Sequence, residues 1–143
     1  MKLLDKACTA EQSDELKRFG VNQDLQPGDV YFATLSSGDT QPFLLSEQED
    51  LPPSMYKPVK AFDCATLGVL ITHCGLYTRF NTANAFMFGT LTWGVHHVND
   101  YTGYCDSSAD YMTEAQARAE ALIFLLTNKK IDTETVNKLL AEL

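Results

Sequence analysis

Apolar positions recur at spacings of three and four in three stretches of the chain. They are Leu67, Leu70, Ile71 and Cys74; Ala115, Ala119, Leu122, Ile123 and Leu126; and Val136, Leu139, Leu140 and Leu143. Residues so spaced share one side of an α-helix, and that side must be buried. Each stripe follows a start signal, and the first two also end on a stop signal. Asp63 can cap a helix over residues 64–74, and Gly75 can end it. Thr113-Glu-Ala-Gln116 has the form of a capping box, with Asn128 and the Lys129-Lys130 pair suited to the far end of that helix. Asp132 can cap a last helix. A further capping box, Thr9-Ala-Glu-Gln12, predicts a helix to Phe19 with Gly20 as a left-handed cap. Only Leu16 and Phe19 are strongly apolar there, so this first helix is expected on the surface.

The stretches between the helices are rich in β-formers. Residues 30–35 and 41–45 flank the turn-like Ser36-Ser-Gly-Asp-Thr40, and Pro27-Gly28-Asp29 precedes them, which predicts a hairpin. Pro42 cannot donate to a ladder, so its strand is expected to sit at an edge or to begin near Pro42. Residues 51–58 carry three prolines and read as loop. Residues 76–98 form the β-rich centre: 76–80 and 85–88 flank the turn-like Asn81-Thr-Ala-Asn84, and 90–95 continue the pattern. Gly89 or Gly94 can mark a bulge or turn. Residues 99–108 read as loop. The order is αββα-ββ(β)-αα: a small antiparallel sheet with an N-terminal helix, a middle helix and two C-terminal helices. Grouped strands and clustered helices point to α+β rather than a parallel βαβ layout. With 143 residues and no internal repeat, a single domain over 1–143 is expected.

Charge narrows the function classes. The formal net charge is −8 and the sequence pI about 4.7. The densest basic cluster is Lys129-Lys130, whereas phosphate-backbone binding needs several bases on one face, so no nucleic-acid partner is expected. No stretch approaches the roughly 18 apolar residues of a membrane span, and Met1-Lys2-Leu3-Leu4-Asp5 has no signal-peptide core; no membrane partner and a cytoplasmic location are expected. Cys8, Cys64, Cys74 and Cys105 then read as free thiols, with two disulfides as the alternative.

Catalytic signals are weak. Cys64, His73, Cys74, His96, His97 and Cys105 could be metal ligands, but no CxxC or HExxH spacing occurs. Cys64 and Cys74 would lie about 15 Å apart along one helix, and adjacent His96 and His97 would face opposite sides of a strand. Neither a metal nor a cofactor is expected. Cys105 with His96 or His97 is the one candidate nucleophile–base set, and Asp106 beside Cys105 works against a thiolate. Arg79, Trp93, His97, Tyr101 and Tyr104 form the candidate binding constellation, because Trp, Tyr and Arg anchor interfaces and stack on planar ligands. The competing reading makes Trp93 core and His97 an edge residue. For a phosphate-bearing ligand, Arg79 and the Lys57/Lys60 pair could supply the positive charge.

Glu15-Leu-Lys-Arg-Phe-Gly-Val-Asn-Gln23, Gly28-Asp-Val-Tyr-Phe32, the proline-rich loop before the Asp63 helix, and the run from Thr113 to Leu126 together resemble a set of small, uncharacterised phage- and prophage-encoded accessory proteins of gut-type bacteria. In those proteins the segment before the last helix is shorter and more charged; here residues 81–104 are longer and more aromatic. The resemblance implies an accessory protein in the host cytoplasm, without naming an activity. Three functions follow as expectations: binding a host or phage protein, binding a small nucleotide-like ligand, and, third, Cys–His catalysis. The apolar faces of the two C-terminal helices further suggest a homodimer formed near them.

Overall fold

The computed structural model describes residues 3–46, 57–80, 92–97, 111 and 113–143. The chain runs through α1 (Leu3–Lys6), α2 (Ala10–Arg18), β1 (Val30–Thr34), β2 (Thr40–Leu44), β3 (Val59–Ala61), α3 (Cys64–His73), β4 (Leu76–Phe80), β5 (Trp93–His97), α4 (Glu114–Thr127) and α5 (Thr133–Ala141). This is an α+β fold. Its described strands form two small antiparallel sheets rather than one: β2-β1-β3, and the ribbon β4-β5.

The caps behave as their chemistry requires. Thr9 Oγ1 accepts from the Gln12 N–H at 3.2 Å, and Gln12 Oε1 accepts from the Thr9 N–H at 3.1 Å. Thr113 and Asp63 each take the amide three residues on, at 3.1 and 2.7 Å; the reciprocal bond at Thr113 is not found among the described residues, so that start is a cap rather than a box. The α2 helix ends in a Schellman turn. Gly20 is left-handed (φ 89°), with Gly20 N–H donating to Lys17 and Val21 N–H to Leu16.

In the first sheet, Phe32 stands opposite Pro42 on one side and Val59 on the other. Pro42 therefore lies on an edge strand, where its missing N–H breaks no ladder bond. The β3 strand, which three residues are too few to announce by periodicity, has its outer edge covered. Cys8 N–H donates to Phe62 O at 3.1 Å, and Gln23 Oε1 accepts from Lys60 N–H at 2.9 Å. In the ribbon, Arg79 pairs with Gly94 and Phe80 with Trp93 in an unbroken register, so Gly94 marks neither bulge nor turn. The region of the other suggested strand, 85–88, and of Gly89 lies outside the described residues.

The main core gathers around α4. Its buried Ala115, Ala119, Leu122, Ile123 and Leu126 are the stripe the spacing marks, and Ala117, Ala121 and Leu125 are buried as well. This helix packs against α2, α3, β4 and β5. From α3, Leu67, Leu70 and Ile71 close on it, and from the ribbon Leu76 and Val95. A smaller cluster, Ala7, Val30, Phe32 and Ala61, lies under the first sheet.

The α2 helix departs from expectation. It is not a surface helix on its inner side: Gln12, Ser13 and Leu16 are all buried. The two polar residues are tolerated because they are bonded. Ser13 Oγ lies 3.1 Å from Cys8 Sγ, and Gln12 Nε2 donates to Gln116 O and Glu120 Oε2 on α4. On α5, Val136 is fully buried and Leu139 and Leu140 pack on the core, while Leu143, beyond the helix, stands 63% exposed.

Candidate functional site

The β4-β5 ribbon divides the candidate binding residues between its faces. Leu76, Thr78 and Phe80 lie on the face turned to α4, and so do their register partners Val95 and Trp93. Trp93 is half-buried, meets Phe80 edge-on with centroids 5.5 Å apart, and exchanges backbone bonds of 2.7 and 2.9 Å with Tyr111. Arg79 occupies the other face, exposed, beside Tyr77 and His96, whose rings lie 5.6 Å apart. Arg79 and Trp93 therefore do not converge on one ligand-sized point. His97 is the register partner of Leu76 at the end of the ribbon. Tyr101, Tyr104 and Cys105 lie outside the described residues, as does any Cys105–His pairing.

The bases suggested for a phosphate do not converge with Arg79. Lys60 is already committed: its Nζ is 3.2 Å from Asp29, donates to Asp24 O at 2.9 Å and sits over the Phe62 ring. Lys57 lines a separate groove of about 240 Å³ with Lys17 and Asp14.

Where α3, β4 and α4 meet, Arg118 makes a structural knot. Its guanidinium donates to Cys64 O at 2.6 Å, Glu114 Oε1 at 2.6 Å and Thr78 Oγ1 at 3.1 Å, and Thr78 donates onward to Glu114 at 2.8 Å. These groups hold three elements together.

A cleft of about 550 Å³ opens at the other end of α4. Its walls come from the last residues of α3, the first of β4, the last turn of α4, and the start of α5. Leu76, Leu125 and Ile131 form its buried apolar floor, with Phe124 and Cys74 half-buried beside them. His73, Lys129, Lys130 and Asp132 form an exposed polar rim. The sequence marks the lysine pair and offers His73 and Cys74 as metal candidates, without bringing them together.

Local structure explains how the rim is presented. Asn128 ends α4, and the next two residues complete a Schellman turn: Lys129 N–H donates to Leu126 O at 3.2 Å and Lys130 N–H to Leu125 O at 2.8 Å. The residue after the cap must be left-handed. In the corresponding positions after α2 and α3 the chain uses Gly20 (φ 89°) and Gly75 (φ 77°); after α4 it uses Lys129 (φ 55°). A side chain in that conformation costs about 1–2 kcal/mol relative to the right-handed region. Two residues after Lys130, Asp132 Oδ1 accepts from the Thr135 N–H at 2.7 Å. The Thr135 hydroxyl and amide together hold the Asp132 carboxyl below its ordinary range.

Cys8, Cys64 and Cys74 are free thiols. Burial pushes all three upward. At Cys8 the Ser13 bond opposes the shift in part; at Cys64 Arg118 opposes it while Glu114 adds to it. Among the described residues no group of three or more His, Cys, Asp or Glu is placed to hold a metal ion, and no helix is long and apolar enough to cross a membrane. Comparison with models of known families, with curated proteins and with solved structures finds no match for the chain.

Proposed function

We propose that this chain is a binding protein for a small anionic ligand, held in the cleft between α3, α4 and the start of α5. The observation that carries the reading is the convergence of Lys129, Lys130 and His73 on one 550 Å³ cleft in a chain of net charge −8. On so acidic a surface an isolated lysine is merely solvated. Two lysines against the one carboxylate of Asp132, around an apolar floor, instead make a local positive potential with a place to seat a ligand, and the His73 imidazole adds a hydrogen-bonding group. The expected small-ligand role thus rests on His73, Lys129 and Lys130 rather than on Arg79, Lys57 and Lys60. A phage accessory role, drawn from the sequence resemblance, accords with ligand binding by analogy alone.

Thermal denaturation against a panel of small phosphates and carboxylates tests the proposal. A ligand present at 100 times its dissociation constant adds about 2.7 kcal/mol of stability, and Lys130→Ala should abolish the gain. A panel that leaves the melting temperature of the native protein unmoved overturns the reading.

The outer face of the ribbon favours a second reading, binding to another protein. Tyr77 is 37% exposed and Arg79 is exposed beside it, and both residue types anchor interfaces. Capture of a host or phage protein by the native chain, lost in a Tyr77→Ser/Arg79→Glu variant, supports this reading; equal capture by both removes it.

A further inference from the structure

We infer that the cleft selects ligands in which one phosphate or carboxylate is joined directly to a flat, largely apolar ring system, the class to which nucleoside monophosphates and aryl phosphates belong. The inference rests on the proposed cleft reading and adds the division of the site into two parts.

The first part is the rim. Among the described residues the chain supplies glycine at two of three left-handed helix ends but lysine at the third, and that lysine is the one lining the cleft. Nothing in the turn itself calls for a long side chain, since its two backbone bonds form equally well with glycine. What the lysine adds is a second positive side chain on the rim, next in the chain to Lys130, and a conformational cost retained at a cleft points to function. An anionic group is what two lysines lining one cleft can hold.

The second part is the floor. Leu76, Leu125 and Ile131 are buried and Phe124 presents a half-buried ring. A bare phosphate would leave this surface wet, whereas a ring covers it and stacks on Phe124. The volume, about 550 Å³, lies within the range of small-ligand pockets and is far larger than an inorganic anion needs. Asp132, held by its bond to Thr135, stands on the same rim and disfavours a ligand with a second negative charge.

Isothermal titration of the full chain with four probes tests this: adenosine monophosphate, phenyl phosphate, adenosine and inorganic phosphate. Both ring phosphates should bind at least tenfold more tightly than adenosine or inorganic phosphate. Lys129→Gly should melt higher than the native protein, because the strain is relieved, and yet bind the ring phosphates at least tenfold more weakly. Inorganic phosphate binding as tightly as the ring phosphates would overturn the ligand class while leaving an anion site in place. A Lys129→Gly protein that binds as well as the native chain would overturn the role of the rim. No heat with any probe, joined to an unmoved melting temperature across the wider panel, would remove the cleft reading itself.

Discussion

The guanidinium of Arg118 occupies the space that a side chain at Gly68 would need. A Cβ built at Gly68 falls inside the van der Waals envelope of the Arg118 head group, which is fixed by its bonds to Cys64 O, Glu114 and Thr78. In an unobstructed helix, replacing glycine by alanine stabilises by about 1 kcal/mol. Here the gain is opposed by displacement of a charged hydrogen-bonding group, at about 1.5–3 kcal/mol per bond lost. With one bond lost, Gly68→Ala should therefore lower stability by roughly 0.5–2 kcal/mol. The sign should reverse in an Arg118→Ala background, and a double-mutant cycle in urea measures both. Equal effects in the two backgrounds would show that Arg118 moves aside freely.

Gln12 links α2 to α4 through its amide and completes the Thr9 capping box. Gln12→Ala should cost about 1–3 kcal/mol, the range for a buried partner left unpaired. Gln12→Glu should be worse near neutral pH, since a second carboxylate would face Glu120 without a proton to donate, and should recover in acid. Urea denaturation at pH 7 and pH 4 checks this; a Glu variant indifferent to pH would contradict it.

Trp93 and Arg79 should separate cleanly by what each variant changes. Trp93 packs on Phe80 and the core, so Trp93→Ala should cost at least about 2 kcal/mol of stability. Arg79 is exposed, so Arg79→Ala should stay within about 0.5 kcal/mol. Melting curves of the two variants decide the matter, and a strongly destabilised Arg79→Ala would show that its side chain is structural.

The three described thiols should be slow nucleophiles. Each is raised by burial, so each is protonated near pH 7, and the reactive thiolate is scarce. The raised values mean that the thiol form favours the fold. That contribution is whole below the ordinary thiol value of about 8.5 and disappears as pH rises through the higher folded values. Iodoacetamide should label Cys8 most slowly and all three faster in alkali, where the melting temperature should also fall. Rapid labelling of Cys74 at pH 7 would refute the assignment.

Asp132 has the opposite sign. Its carboxyl is held low by Thr135, so its cap is fully effective above the ordinary aspartate value of about 3.9 and weakens as pH falls below that. The Thr135 amide should exchange faster with solvent as pH drops through this range, after correction for intrinsic rates. Asp132→Asn should flatten that dependence. A variant whose exchange profile still matched that of the native chain would argue against this role for the carboxylate.

What the sequence makes legible follows from what carries a local signal. The α3, α4 and α5 helices announce themselves because spacing and caps act within a few residues. The burial of Gln12 and Ser13 is illegible because polar residues become core only when distant partners satisfy them, as Glu120 does for Gln12, or when the chain folds back, as Cys8 does to Ser13. The separation into two sheets is equally hidden: β-propensity marks strands but says nothing of which strands pair. The cleft escapes a reading of the sequence because His73 and Lys129 meet only after α3 and α4 pack. Its one local trace is a lysine pair at a helix end where the chain elsewhere places glycine.

The central position of α4 bears on how this protein is made. The helix on which α2, α3 and both strands of the ribbon close is encoded after all of them. A ribosome must release the chain through Thr127 before the main core can assemble, because earlier-emerging elements have only one another to cover their apolar sides. Synthesis at roughly 5–20 residues per second leaves those elements waiting for several seconds, so the nascent chain, rather than the finished fold, is the form of this protein most exposed to aggregation and to chaperones.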